Sequence, residues 1–391
     1  MREKTPRRNT DAMSAFPEQT NVSVKPPKKK KSGLLGRIVR RFFLVLFTVI
    51  ILAVAGLALV MNLVFNGPSP AARNVLTMSL LEPSATKWIP GLFMDKEVVE
   101  SIRNAGKTEM TEDTTNTSLV TIHRGGNISS SSSDEWADYP DGIRIDEYKG
   151  KTFNAHIMIV RDPSQVYLGL STYDGFSTSK PGKRLNKAIE DEGAIAAVNA
   201  GAFNDDGTAN ANVGSVPAGL TVSGGKVVSD VYKGLVPEEG FCGFNTDDVL
   251  VVAKSMTAAQ AVEQNIRDGC EFGPVLIING QVNQEVYSGN SGYNPRTAIG
   301  QRADGVVIFV CADGRQAGSM GATYKDIIDI MVEYGAVNAC NMDGGSSTVM
   351  FYRDTYGRYG EAGQVQMMNS YSVLQSEPRR MPDFWMVRPA E

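Results

Sequence analysis

The chain has 391 residues, enough for two or three domains, and its 42% hydrophobic and 21% charged content is that of a globular protein. The net charge of −4 conceals an asymmetry: residues 1–41 carry twelve basic and three acidic side chains, a net +9, which leaves −13 on the remaining 350. An acidic main domain argues against a nucleic-acid partner, and with two histidines, His123 and His156, the chain offers in no one neighbourhood what a His/Cys zinc cluster or most Ser-His-Asp arrangements need.

Taken in order, residues 1–33 are polar and rich in Pro, Lys and Arg, the composition of a disordered tail. Lys28–Lys31, Arg37, Arg40 and Arg41 then precede the apolar run Phe42–Phe65, whose length as a helix is about 36 Å against a bilayer core of about 30 Å. Apolarity continues past Ala53-Val54-Ala55, where a signal peptide would be cut, so the run reads as an uncleaved single-pass anchor. The basic block places the amino terminus in the cytoplasm and everything after Asn66 outside, at the cell surface. The organisation predicted is a basic tail over 1–41, a transmembrane helix over 42–66 and a helical stalk over 67–105. A polar linker over 106–141 containing Ser129–Ser133, and a main domain over 142–391, complete it.

Within the main domain, Ile143–Tyr148, Thr152–Arg161 and Val166–Ser171 predict an antiparallel meander. Leu185–Glu192 predicts a helix, and Ala194–Val198 a strand that ends in Asn199-Ala200-Gly201. The loop Asn204–Gly214 is dense in oxygen atoms that suit a divalent cation such as Ca²⁺. It lacks the EF-hand spacing and the closing glutamate, so the cofactor requirement stays open and no metal ligand is assigned. Hairpins are predicted over Ala218–Ser229 and Gly243–Ala253, a helix over Ala258–Arg267 and strands over Val275–Asn279, Ser347–Tyr352, Ser370–Leu374 and Phe384–Val387. Cys311 and Cys340 fall in apolar strands as small buried residues, whereas Cys242 and Cys270 are either free or bridged.

The segment Gly305–Tyr352 organises the rest. Val306–Cys311 is a β-branched and aromatic run, and Tyr324, Ile327, Ile328 and Met331 follow at helical spacing. Gly335 is a helix stop, and Ala336–Met342 is a second apolar run, so a right-handed parallel βαβ crossover is predicted. Both strands end in Asp-Gly, at Asp313-Gly314 and Asp343-Gly344, which puts two carboxylates on the rim where α/β sheets bind ligands. Gly344, Gly345 and Ser346 let backbone N–H groups approach an anion, and Arg296, held after Pro295, suits bidentate binding of phosphate or carboxylate. The fold class predicted is α+β: a mixed, largely antiparallel sheet with one parallel crossover, on a single transmembrane helix and helical stalk.

Four motifs occur in order: Phe272-Gly-Pro-Val-Leu-Ile-Ile-Asn-Gly280, Pro295-Arg-Thr-Ala-Ile-Gly300, Asp313-Gly-Arg315 and Asn341-Met-Asp-Gly-Gly-Ser-Ser347. Together they resemble the phosphodiester glycosidase family over roughly residues 142–391. The resemblance implies hydrolysis of a sugar 1-phosphodiester, such as an envelope glycan or exopolysaccharide, between the anomeric carbon and the phosphate oxygen. Asp343 is then the first choice for the catalytic carboxylate, with Asp313 sharing the acid–base work or orienting a water. Asn199, Gly201, Arg296, Thr297, Arg315, Gly344, Gly345 and Ser346 are assigned to the substrate. The chain departs from the family pattern at Ala200 and Ala202, where Asn-Gly-Gly-Phe-Phe is usual over 199–203, and at Ser346, where a third glycine is usual. Two other readings stay open: an anchored polysaccharide-binding protein without catalysis, and a metal-dependent phosphodiesterase with Asp205, Asp206, Asp313 and Asp343 as oxygen ligands.

Overall fold

The main domain's strands are mostly apolar on both faces rather than alternating, so its sheets must be covered on both sides. The computed structural model describes residues 34–81, 86–103, 112–123, 135–204, 214–231, 240–289, 291–370 and 377–390. The tail 1–33, the Ser129–Ser133 run, the loop positions Asp205 and Asp206, and the strand expected at Ser370–Leu374 apart from Ser370 lie outside the described residues.

Two compact units divide between Leu59 and Val60. Helix α1 (Leu34–Asn66) contains the span Arg37–Asn66, long and apolar enough to cross a membrane or to serve as a signal sequence. In the second unit Phe65 stacks on Phe93 at 5.2 Å, followed by α2 (Pro70–Leu81) and α3 (Lys96–Arg103).

Strands β1 (Ile143–Lys149) and β2 (Asn154–Val160) form a hairpin, but β3 (Val166–Leu170) leaves it for another sheet, so the predicted meander stops at two strands. Helix α4 (Leu185–Glu192) leads to β4 (Ala196–Asn199). The pairs β5 (Thr221–Ser223) with β6 (Lys226–Ser229), and β7 (Phe241–Asn245) with β8 (Leu250–Ala253), are hairpins. Helix α5 (Ala258–Glu263) ends before the predicted Arg267 because Asn265 turns left-handed, at φ 52°, and β9 (Ile266–Glu271) starts at once. Next come β10 (Val275–Ile278), β11 (Gln281–Val282), α6 (Gln284–Ser288), β12 (Arg296–Arg302) and β13 (Val307–Ala312). Helix α7 (Tyr324–Glu333) begins with a capping box in which Thr323 and Asp326 satisfy each other's backbone N–H groups. Strands β14 (Ala336–Met342), β15 (Met350–Arg353), β16 (Val365–Met367) and β17 (Asp383–Val387) complete the chain.

These strands form three sheets, ordered β1-β2-β13-β12-β14-β10-β11, β16-β15-β4-β17-β3 and β6-β5-β9-β7-β8. Their inner faces share one core, in which Met158, Leu168, Phe244, Ile299, Phe309, Met342 and Trp385 are all essentially inaccessible. The outer face of the first sheet is closed by α6 and α7, that of the second by α4 and that of the third by α5. Part of the predicted linker lies on this body: Thr115 N–H donates to Val252 O at 2.9 Å, and Thr121 N–H to Ala303 O at 2.8 Å.

The predicted parallel βαβ crossover is not formed. Strands β13 and β14 point the same way, but β12 lies between them and pairs antiparallel with both. All pairings among the described strands are antiparallel. The physical reason is local: β12 and β13 are joined by a short turn over Ala303–Val306, so they pair as a hairpin before β14 is reached. Because β13 and β14 remain codirectional, Asp313 and Asp343 still leave the sheet at one edge.

Candidate active site

At that edge the amino end of β12 meets the carboxyl ends of β13, β14 and β4. Register places Thr297 opposite both Cys311 and Met342, so Asp313 and Asp343 each follow a residue paired to the start of β12. Asn199 ties the layers together. Its Oδ1 accepts from the Thr297 hydroxyl at 2.7 Å and from Val349 N–H at 3.2 Å, while its Nδ2 donates to Asp343 O at 2.6 Å. It is fully buried, so its observed contacts hold the Asp343 backbone rather than face solvent. Asp343 N–H donates to Ala200 O at 3.1 Å, a second tie between β14 and the end of β4.

The turn after Asp343 is shaped by its glycines. A Cβ on Gly344 would lie 2.8 Å from Pro295 O, and Gly345 has φ 61° with its N–H bonded to Pro295 O at 2.8 Å. The Arg315 guanidinium packs against Gly345, 3.2–3.3 Å from where its Cβ would be, and donates to Asn294 Oδ1 at 3.0 Å. Arg379 approaches the next residue, with Nη1 3.4 Å from Ser346 Oγ and its guanidinium 4.9 Å from the Phe203 ring centroid. Two cations therefore flank the three residues that follow Asp343, which themselves remain partly accessible.

A family model described as phosphodiester glycosidase matches residues 192–388, which take in β4, β12, β14, β17 and the whole of this edge. The chain belongs to the phosphodiester glycosidase family. At that level it is a glycosidase-type hydrolase. Among curated relatives, an SPbeta prophage-derived uncharacterized protein of Bacillus subtilis is 24% identical over 203 residues, 51% of this chain; the alignment spans only 29% of that relative's length. Among solved structures, the zebrafish N-acetylglucosamine-1-phosphodiester alpha-N-acetylglucosaminidase catalytic domain, auto-inhibited by pro-peptide, has TM-score 0.49 and 18% identity. That match covers 63% of this chain and 82% of the zebrafish chain. A hypothetical protein from Synechocystis has TM-score 0.41 and 16% identity, over 63% and 61% of the two chains.

In this phosphodiester glycosidase domain the predicted site residues divide into two groups. Asp343, Gly344, Gly345, Ser346, Arg315, Thr297 and Asn199 are joined by the contacts above. Gly201 is close, but its N–H is given to Asp383 Oδ1 at 2.9 Å. Arg296 is turned to the opposite face. Only 4% exposed, it donates to Ala322 O at 3.1 Å and Gly292 O at 2.9 Å and lies 3.7 Å from the Tyr324 ring centroid. Alternation explains this: Thr297 faces the shared core and Asn199, so its neighbour must face the helical layer. His156, opposite Cys311 on β2, has its proton affinity lowered by burial. Cys242 and Cys270 are buried free thiols opposite each other on β7 and β9. Among the described residues no group of three or more His, Cys, Asp or Glu could hold a metal ion.

Asp313 is 3% exposed and accepts from Ser370 N–H at 3.0 Å. Burial is the main influence on its carboxyl and pushes it up to about 6. The folded state therefore keeps a proton that the unfolded chain releases near pH 4. This contribution to stability is complete below pH 4 and is lost as pH rises through about 6. A difference of about two pH units corresponds to about 3 kcal/mol. Asp313→Asn, which retains an acceptor for Ser370, is expected to raise stability by up to about 3 kcal/mol at pH 7.5 and by nothing measurable at pH 4. Urea midpoints at the two pH values check this, and an equal change at both would refute it.

Two residues at this edge carry no local sequence signal. Arg379 belongs to an ordinary Arg-Arg pair, and Asp383 reads as the polar residue before the Phe384–Val387 strand. Only their long-range neighbours distinguish them.

Proposed function

We propose that the chain hydrolyses a sugar 1-phosphodiester between the anomeric carbon and the phosphate oxygen. It would act as a membrane-anchored enzyme, held by Phe42–Phe65, on an envelope glycan or polysaccharide outside the cytoplasm. The observation that carries the reading is the adjacency of Asp343, the Gly344–Ser346 turn and the Arg315 and Arg379 guanidinium groups. A phosphodiester bears one negative charge, and its leaving phosphomonoester gains a second as the bond breaks. Two guanidinium groups at that point bind the later charge distribution more strongly than the earlier one, which is the requirement for catalysis. A leaving group already stable as an anion needs little protonation, so one carboxylate, acting as base toward water or as nucleophile, suffices. Asp343 fills that role, and Asn199 and Ala200 fix its backbone.

The test incubates the detergent-solubilised full chain with a panel of sugar 1-phosphodiesters in oxygen-18 water. The expected products are labelled free sugar and an unlabelled phosphomonoester. Label in the phosphate, or release of sugar 1-phosphate, would instead support a phosphodiesterase. Binding of polysaccharide with no product from any substrate would support a binding protein.

A further inference from the structure

The edge holds one more carboxyl group, outside the machinery above. Asp383 begins β17, is 1% exposed and accepts from Gly201 N–H through Oδ1 at 2.9 Å. Its Oδ2 is buried with no hydrogen-bond partner among the described residues. Gly201 N–H belongs to the same peptide unit as Ala200 C=O, and that oxygen accepts the Asp343 N–H at 3.1 Å. One peptide plane thus connects the two aspartates: the Asp383 carboxyl at its N–H end, the Asp343 backbone at its C=O end. Hydrogen bonds in such a chain polarise one another, so a change of charge at Asp383 is felt at Asp343 through the bonds as well as through space.

We propose that Asp383 is a positioning residue that works as a neutral carboxylic acid, holding Asp343 in place through the Ala200–Gly201 peptide. The inference rests on the proposed function. The surroundings favour the neutral form. Asp383 faces the charge of Asp343, just past the end of β14, and from β9 the Cys270 thiol, with Glu271 next to it. Its cross-strand neighbour on β3 is Leu170, and on β4 Asn199 lies opposite the adjacent Phe384. An ionised Asp383 would be a buried charge beside another carboxylate with one oxygen unsatisfied. Burial first, and Asp343 second, hold its proton up to about 7, against the opposing Gly201 N–H. Above that pH the site acquires a second negative charge directly behind Asp343, which opposes binding of an anionic phosphodiester and misaligns the peptide link.

The test compares pH profiles of kcat/KM for wild type, Asp383→Asn and Asp383→Ala on a phosphodiester substrate. Wild type is expected to lose about tenfold or more between pH 6 and pH 8.5. In Asp383→Asn, which mimics the neutral acid, the same ratio should fall below about twofold. Asp383→Ala loses the Gly201 partner and should lower kcat at both pH values. An unchanged alkaline limb in Asp383→Asn, or a flat wild-type profile, overturns the inference. Should wild type cleave no substrate of the panel, the proposed function itself fails, and melting temperatures judge the proton alone. Asp383→Asn should then gain on wild type between pH 6 and pH 8.5, and parallel curves would overturn the assignment.

Discussion

Asp343→Asn is expected to fold normally and to turn over a sugar 1-phosphodiester at least about 10²-fold more slowly than wild type. The fold should survive because Asp343 is held by its backbone, through Asn199 Nδ2 at 2.6 Å and Ala200 O at 3.1 Å. Its side chain accepts from its own turn, with Gly344 N–H donating to Oδ1 at 2.8 Å, and an amide oxygen accepts equally well there. What disappears is the charge that makes the group a base or nucleophile, and an amide supplies neither. A folded Asp343→Asn protein that kept near-wild-type turnover would remove Asp343 from the chemistry and with it the reading of this edge as an active site.

The second large effect separates two arginines. Arg379→Ala should lower kcat/KM for a phosphodiester by about 10²-fold while changing hydrolysis of an uncharged aryl glycoside of the same sugar by less than about threefold. Loss of a charge-assisted contact to phosphate is worth about 1.5–3 kcal/mol, and about 1.4 kcal/mol is a factor of ten. Arg296→Lys should behave oppositely. Its guanidinium is buried against Ala322 O, Gly292 O and the Tyr324 ring, which a lysine cannot reproduce. That change should reduce stability by about 2–4 kcal/mol and leave the preference for phosphodiester over aryl glycoside intact. Parallel kinetics on the two substrates, with a urea midpoint for each variant, decide between the roles. If Arg296→Lys shifted substrate preference and Arg379→Ala did not, the phosphate would have to be moved to the other face of β12.

Local chemistry made the elements legible. The apolar run Phe42–Phe65, the strands around Phe309 and Cys340, the helix from Tyr324 closed by Gly335, and the Asp-Gly ends at 313 and 343 all depend on residues close in sequence, where period and turn chemistry act. The motif order was likewise enough to place the family. Even the orientation of Arg296 was implicit, because it adjoins Thr297 in a strand and the two must face opposite sides of the sheet.

What the sequence could not decide was which strands become neighbours. Codirectional β13 and β14 satisfy the same local pattern whether they pair directly or enclose β12, and only the hairpin between β12 and β13 excludes the direct pairing. The same holds for the carboxyl groups. Asp313 and Asp343 looked equivalent as strand ends, yet tertiary packing buried the first against Ser370 and left the second partly accessible. Asp383 meets Gly201 across 182 positions, and Arg379 meets Ser346 across 33. Such contacts come from burying three sheets against one core rather than from any preference of the residues themselves, so the sequence determined the parts and the tertiary structure determined which of them share the site.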